Sequence, residues 1–95
     1  MVKVEQLVND NGNPSNNQVV VTNNKVRIFY SYGTPICKRN LKTNVLTIGK
    51  KYRYSKTTMK HLCIYLRDYE DRYIDSIKDV DKLIEQGVFK YTKRW

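Results

Sequence analysis

The spacing of apolar residues along this chain changes once, near Gly49. Before Gly49, short runs rich in β-branched and aromatic residues are separated by polar turn residues, a pattern typical of strands. After it, apolar residues recur at the i, i+3, i+4 and i+7 spacing of an amphipathic helix. We therefore predict an α+β fold, in which a small antiparallel sheet of three to five strands packs against two helices that follow it in the chain.

The sheet-forming half is predicted to cover about residues 1–49. The runs QVVVT and KVRIFYSY flank Asn23-Asn24, a pair that tolerates positive φ and therefore favours a tight hairpin. Alternation in the second run places two sets of side chains on opposite faces of the strand. The sets are Val26, Ile28, Tyr30 and Tyr32 on one face and Lys25, Arg27, Phe29 and Ser31 on the other.

The rest of this half is divided by polar stretches. Residues 9–17 (NDNGNPSNN) indicate a loop, because short polar side chains bond to their own backbone there, and residues 33–35 indicate a turn. Residues 36–38 and 45–48 are predicted strands. Val2, Val4 and Leu7 permit either a short strand or a turn of helix.

The helical half is predicted to cover about residues 55–87. Ser55 is expected to cap a first helix whose apolar stripe is Met59, Leu62, Cys63, Leu66 and Tyr69. A second helix is predicted to begin near Ser76, with Asp79 completing a capping box, and to end before Gly87 in a left-handed cap. Residues 88–95 form either a last strand or a basic aromatic tail laid across the sheet.

The chain length and its apolar content limit the class of protein. Ninety-five residues are predicted to form a single domain over residues 1–95, with a modest core and any binding site on the surface. The longest apolar run is five residues, Leu62 to Leu66, and no secretory signal opens the chain. We expect no membrane contact, a cytoplasmic location (the host cytoplasm for a phage-encoded protein) and two reduced cysteines.

The positive charge is clustered. The net charge is +9, and residues 49–60 contribute five cations and no acid, while residues 88–95 contribute three more. Tyrosines alternate with these cations, and hydroxyl groups lie at the predicted helix start, where free amides and the helix dipole attract phosphate. Aromatic rings beside a positive groove can hold single strands. The predicted site for nucleic acid or a partner comprises Lys50, Lys51, Tyr52, Arg53, Tyr54, Lys56, Thr57, Lys60, Lys90, Tyr91, Lys93, Arg94 and Trp95.

Structural roles compete with this interpretation. Tyr52 and Tyr54 could pack on the first helix, the lysines could serve solubility and Trp95 could close the core. A separate acidic block, which suggests either a divalent-ion site or a solvated charged face, comprises Asp68, Glu70, Asp71 and Asp75. The solvated face is favoured because arginines are interspersed with these acids.

The residues that catalysis would need are sparse. His61 and Cys63 lie two positions apart on the predicted helix and therefore point about 200° apart, so they cannot share a metal ion. A pair of His61 with Cys37 is left open, although both cysteines fit core positions better. The chain contains no glycine-rich phosphate loop and no nucleophile elbow. We expect a protein that is not an enzyme, with no catalytic residues, no metal and no cofactor.

Four segments carry a family resemblance: NGNPSNNQVVVT, FYSYGTPIC, YSKTTMKHLCIYL and LIEQGVF. Together they resemble a family of small uncharacterised domains of phages and low-GC bacteria, over about residues 11–89. The matching positions are Asn17, Gln18, Ser31, Tyr32, Tyr54, Ser55, Thr57, Thr58 and Lys60. The resemblance implies the fold boundaries and a phage-like origin, and it implies no activity. This chain departs from the family in having Lys50, Lys51 and Arg53 before the Tyr-Ser pair.

These observations give three functional hypotheses. The leading one is a non-enzymatic, phage-type accessory protein that binds nucleic acid or a nucleoprotein complex through residues 50–60, assisted by residues 90–95. The second is an anti-CRISPR-like inhibitor that binds a host protein, either an enzyme or a defence nuclease, since tyrosine, arginine and tryptophan are frequent interface anchors. The third is a minor structural component of a virion. The identity of the target and the oligomeric state are left open.

Overall fold

The computed structural model describes residues 2–95, which form six strands and two helices. The strands are β1 (Lys3–Val8), β2 (Pro14–Thr22), β3 (Val26–Ser31), β4 (Thr34–Asn40), β5 (Leu46–Gly49) and β6 (Lys90–Thr92). The helices α1 (Lys56–Glu70) and α2 (Ile77–Glu85) follow the first five strands, so the α+β class is confirmed. Neither helix is long and apolar enough to cross a membrane within the described range.

All six strands form one sheet, in which their spatial order is their order along the chain. The first five are antiparallel neighbours, whereas β6 runs parallel to β5. Parallel neighbours need a crossover connection, which the two helices provide here. The prediction of an antiparallel sheet with at most five strands was therefore wrong. The last strand was one of the two alternatives for residues 88–95, whereas its parallel direction was not predicted, because the crossover sets that direction.

The turns of the sheet are shorter than the sequence indicates. Residues 14–17 belong to β2, which leaves residues 9–13 as the first loop, and β4 begins at Thr34, so the second predicted turn reduces to Tyr32 and Gly33. The hairpin between β2 and β3 is confirmed, but its asparagines do not use positive φ. Instead the Asn23 Oδ1 accepts hydrogen bonds from the amides of residues 25 and 26, at 2.7 and 2.9 Å.

The core lies between α1 and one face of the sheet, which we call the inner face. Phe29 of β3 stacks on Tyr65 of α1 with ring centroids 5.5 Å apart, and Tyr65 stacks in turn on Tyr69 at 5.3 Å. The cross-strand partners of Phe29, Val20 and Cys37, are fully buried on the same face. The predicted alternation of β3 is thus confirmed from Val26 to Ser31, while Tyr32 lies in the turn.

The opposite, outer face of the sheet is only partly covered. It carries Val19, Ile28, Tyr30, Lys38 and Thr47, all of intermediate exposure, whereas their inner-face neighbours are buried. An α+β sheet commonly has its helices on one face and leaves the other toward solvent. The outer face is therefore available to a ligand.

Both helices begin and end close to the predicted positions. The Ser55 Oγ accepts a hydrogen bond from the Thr58 amide at 3.1 Å, so the N-cap of α1 is confirmed. Gly87 has φ of 79°, as a left-handed cap after α2 requires. The capping box of α2 was wrong, because Ser76 makes no cap hydrogen bond and Asp79 accepts from the amide of Asp75 instead.

Glu70 does not belong to a solvated acidic face. Its side chain is 2% exposed and accepts hydrogen bonds from Arg39 at 2.7 Å, from the Tyr65 hydroxyl at 2.5 Å and, more weakly, from Arg27 at 3.5 Å. Helix α1 ends here, and Asp71 follows in the left-handed conformation. Glu70 therefore links β3, β4 and α1, and the solvated-face interpretation was wrong for this residue.

Candidate nucleic-acid interface

The two basic segments, residues 49–60 and 88–95, are distant in the sequence but are neighbours in the fold. The parallel pairing of β5 with β6 aligns Thr47 with Lys90 and Gly49 with Thr92. Just beyond, the Lys50 amide donates a hydrogen bond to the Trp95 carbonyl at 3.0 Å. Residues 50–54 and 90–95 therefore lie side by side at one edge of the sheet.

Tyr52 and Arg53 hold this edge onto α2. The Tyr52 hydroxyl donates to the Asp81 carboxylate at 2.5 Å, and its ring meets that of Tyr91 edge-on with centroids 6.2 Å apart. Arg53 forms an ion pair with the same carboxylate. Partial burial and the hydrogen bond to Asp81 raise the pKa of Tyr52, and the hydrogen bond from Arg53 lowers the pKa of Asp81. Both side chains therefore already have a partner within the protein, which the sequence did not indicate for these two predicted site residues.

The other predicted cations are exposed. Within residues 2–95 none of them forms an ion pair. They are Lys50, Lys51, Lys56, Lys60, Lys90, Lys93 and Arg94. Tyr54, also predicted to belong to the site, is 69% exposed. Tyr91 of the predicted site is also exposed, so seven cations and two tyrosines remain accessible to a polyanion.

The helix start offers fewer hydroxyl groups than the sequence predicts. Thr58 is fully buried, where its hydroxyl bonds to the Ser31 hydroxyl at 2.9 Å and to that of Ser55 at 3.1 Å. Of the three hydroxyl residues there, only Thr57 is exposed. Because Ser55 already caps the helix, the amide that it binds is not free for phosphate. The start of α1 is therefore a weaker anion site than predicted.

A groove on the outer face is more cationic than the helix start. It has a volume of about 830 Å³, and we call it the basic groove. Its lining is Lys38, Asn40, Thr43, Val45, Thr47, Lys90, Tyr91, Thr92, Arg94 and Trp95. Lys38, Thr47 and Lys90 are successive cross-strand partners, so both ammonium groups start from the same row of the sheet. The lining contains three cationic side chains and no acidic side chain.

Lys38 was missed by the sequence interpretation. Alternation with buried Cys37 places Lys38 on the outer face, and this signal was present in the sequence. Its relation to Lys90 was not, because it depends on the β5–β6 pairing. A second groove, of about 500 Å³ beside α1, contains Lys56 and Lys60 but also Asp10 and Asp75, so its charge is mixed.

The cysteines and the histidine have structural environments. The His61 Nδ1 donates to the Thr57 carbonyl at 2.8 Å, so its Nε2 accepts from the Ser15 hydroxyl at 2.9 Å. Burial raises the pKa of both thiols, with a nearby acid as the second cause, Glu70 for Cys37 and Asp79 for Cys63. A raised thiol pKa disfavours the reactive thiolate. Through its two hydrogen bonds, His61 connects Ser15 at the start of β2 with α1.

Six of the nine residues that carry the family resemblance meet at one junction. Asn17 and Tyr32 both have positive φ, 63° and 52°, and the Asn17 carbonyl accepts from the Tyr32 amide at 2.8 Å. Ser31, next to Tyr32, forms a hydrogen bond through its hydroxyl group with the buried Thr58 hydroxyl at the start of α1. Gln18 is the cross-strand partner of Ser31 and is fully buried. Its side-chain amide has no hydrogen-bond partner among residues 2–95. This junction joins the β2–β3 hairpin to α1.

The structure thus combines an α+β fold with a cationic groove on the outer face of its sheet. The chain belongs to the family of unknown function DUF8033, whose model matches residues 2–82. Membership confirms the resemblance to an uncharacterised domain family, while the phage origin stays a prediction. No curated protein and no solved structure gave a significant match.

Proposed function

We propose that this protein binds nucleic acid, alone or in a nucleoprotein complex, as a non-catalytic accessory protein. The observation that carries the proposal is the basic groove, which gathers Lys38, Lys90 and Arg94 with no acidic side chain in its lining. The lysines of residues 50–51 extend the positive charge along the same edge of the sheet. A phosphate backbone binds such a surface by releasing its counterions, and no catalytic group is needed.

The proposed centre of binding lies at the groove and not at the start of α1. Arg53 is already neutralised by Asp81, and the Ser55 and Thr58 hydroxyls are engaged within the protein. Lys56 and Lys60 face a groove that also contains carboxylates. These cations are therefore expected to contribute long-range attraction, whereas the groove supplies direct phosphate contacts.

Binding of labelled oligonucleotides at several salt concentrations tests the proposal. Three phosphate contacts to a single strand give a slope of about −2 for log K against log salt. The variant Lys90→Glu/Arg94→Glu should lose most of its affinity at low salt. Lys78→Glu/Lys82→Glu is the matched control, because it changes the net charge equally on exposed positions of α2 outside the groove.

The Lys78→Glu/Lys82→Glu control shows whether binding depends on the charges in the groove or only on the net charge of the protein. We expect the α2 variant to bind within about threefold of the unmodified protein, since its charges lie away from the bound phosphates. An equal loss in both double variants would show that only net charge matters. Failure of every oligonucleotide to bind at low salt would rule out the function itself.

A protein partner is the second candidate, and a different surface favours it. Strand β1 is an edge strand, and its Val4 is 65% exposed, with Val2 and Val8 also exposed beside it. Exposed edges with apolar side chains can accept a strand from another chain. Affinity capture from a nuclease-treated host lysate distinguishes the two functions. A protein that is captured stoichiometrically by the unmodified chain but not by the Val4→Lys variant would favour a protein partner at β1.

A further inference from the structure

Two aromatic rings lie beside the basic groove on the outer face. Cross-strand pairing sets Tyr30 of β3 opposite Pro35 of β4, and Lys38 opposite Ile28, so all four share the outer face. Trp95 joins them and lines with them a depression of about 160 Å³. Tyr30 and Trp95 therefore border one depression, with Lys38 at its rim.

This depression is continuous with the basic groove. Lys38 and Trp95 line both, and neither lining contains an acidic side chain. Trp95 is held in place from two sides, because its carbonyl accepts from the Lys50 amide and its ring lies over Gly49. The aromatic rings of the depression and the cations of the basic groove therefore lie next to each other on the outer face of the sheet.

We propose that the outer face binds single-stranded nucleic acid, with bases stacked on Tyr30 and Trp95 and phosphates held by Lys38, Lys90 and Arg94. This inference rests on the proposed function and adds the strand type and the face. The positive groove is complementary to a phosphate backbone, and aromatic faces stack on any unpaired base. A duplex keeps its bases inside the stack and cannot reach the two rings.

Trp95 reports on stacking directly, since it is the one tryptophan of the chain. A thymidine homo-oligonucleotide should quench its fluorescence in proportion to binding, at low salt. Inorganic polyphosphate, which has charge but no bases, should bind without comparable quenching. The duplex of the same length should bind more weakly than the single strand.

Tyr30 provides the second measurement. Tyr30→Ala should weaken single-strand binding at least about fivefold, the lower limit for losing one base–aromatic stack. Tyr30→Phe keeps the ring and should bind within about twofold of the unmodified protein. Tyr73→Ala is the control for loss of an exposed ring, because Tyr73 is 81% exposed and lies outside both depressions.

The outcomes separate this inference from the function on which it rests. A single-strand preference, base-dependent quenching and a loss in Tyr30→Ala but not in Tyr30→Phe or Tyr73→Ala support it. Salt-sensitive binding with equal affinity for duplex and single strand, or equal quenching by polyphosphate, overturns the inference and leaves the function standing. Absence of binding to any oligonucleotide overturns both. Thermal unfolding of each variant verifies that the comparison is made on folded protein.

Discussion

The indole ring of Trp95 lies against the backbone of Gly49, so closely that a Cβ atom on Gly49 would be 2.5 Å from the ring carbon Cε3. Gly49 does not have positive φ, and its requirement for glycine is therefore steric. The same Cβ atom would be 2.9 Å from the Trp95 carbonyl oxygen. The absence of a side chain at Gly49 on β5 thus allows Trp95 to rest on the outer face.

Gly49→Ala should displace Trp95 without changing any charge. The ring then moves toward water, and we expect its fluorescence emission maximum to shift to longer wavelength. Single-strand affinity should fall while the salt dependence of binding is retained. An unchanged emission spectrum would contradict the close contact of ring and backbone.

Lys38→Ala should reduce the salt dependence of oligonucleotide binding. Each phosphate contact removed reduces the magnitude of the slope of log K against log salt by about 0.7 for a single strand. Lys56→Ala removes an equal charge beside α1, where Asp10 and Asp75 also line the groove, and should change the slope less. A larger change of slope in Lys56→Ala than in Lys38→Ala would show that the phosphates bind at the start of α1 and not in the basic groove.

Thr58→Val should destabilise the fold, because it leaves the buried Ser31 hydroxyl without a partner and removes the acceptor of the Ser55 hydroxyl. The buried hydroxyl chain joins Ser31 to Ser55 through Thr58. Loss of a buried hydrogen-bond partner costs about 1–3 kcal/mol in the free energy of unfolding. Thr57→Val, at the exposed neighbouring position, should change it by less than about 0.5 kcal/mol. Urea denaturation of both variants measures the difference.

Glu70→Gln should also lower the free energy of unfolding. It removes the anion that faces Arg27 and Arg39, which are about one quarter exposed. Breaking a fully buried pair costs about 3–5 kcal/mol, and the partial exposure of the arginines reduces the expected cost to about 2 kcal/mol. Glu85→Gln, on the exposed side of α2, is the matched control. Equal stabilities of the two variants would show that the ion pairs contribute nothing.

The ion pair of Arg53 with Asp81 predicts a small acid-sensitive contribution to stability. Asp81 has a pKa below its ordinary value of 3.8, chiefly because Arg53 donates a hydrogen bond to it. The carboxylate therefore stabilises the folded state, fully at pH values above about 4, and the contribution is lost as the pH falls through the folded-state pKa. The stability deficit of Asp81→Asn should narrow in acid. A deficit that does not vary with pH would contradict this.

Local chemistry explains the elements that the sequence predicted well. The Ser55 cap, the left-handed Gly87 and the alternation around Phe29 all depend on residues a few positions apart. Two errors arose where one residue can satisfy the backbone in two ways. Asn23 closes its turn through a side-chain oxygen instead of positive φ, and Asp79 caps the amide of Asp75 instead of that of Ser76.

For the candidate site, the sequence by itself determined that residues 49–60 and 88–95 are rich in cations and aromatic rings. Only the tertiary structure decided which of them remain free. Arg53 is neutralised by a carboxylate 28 positions away, and Lys38 meets Lys90 through a strand pairing that the helical crossover imposes. The availability of a charge depends on partners that are distant in the chain, and the spacing of residues in a sequence does not contain those distances.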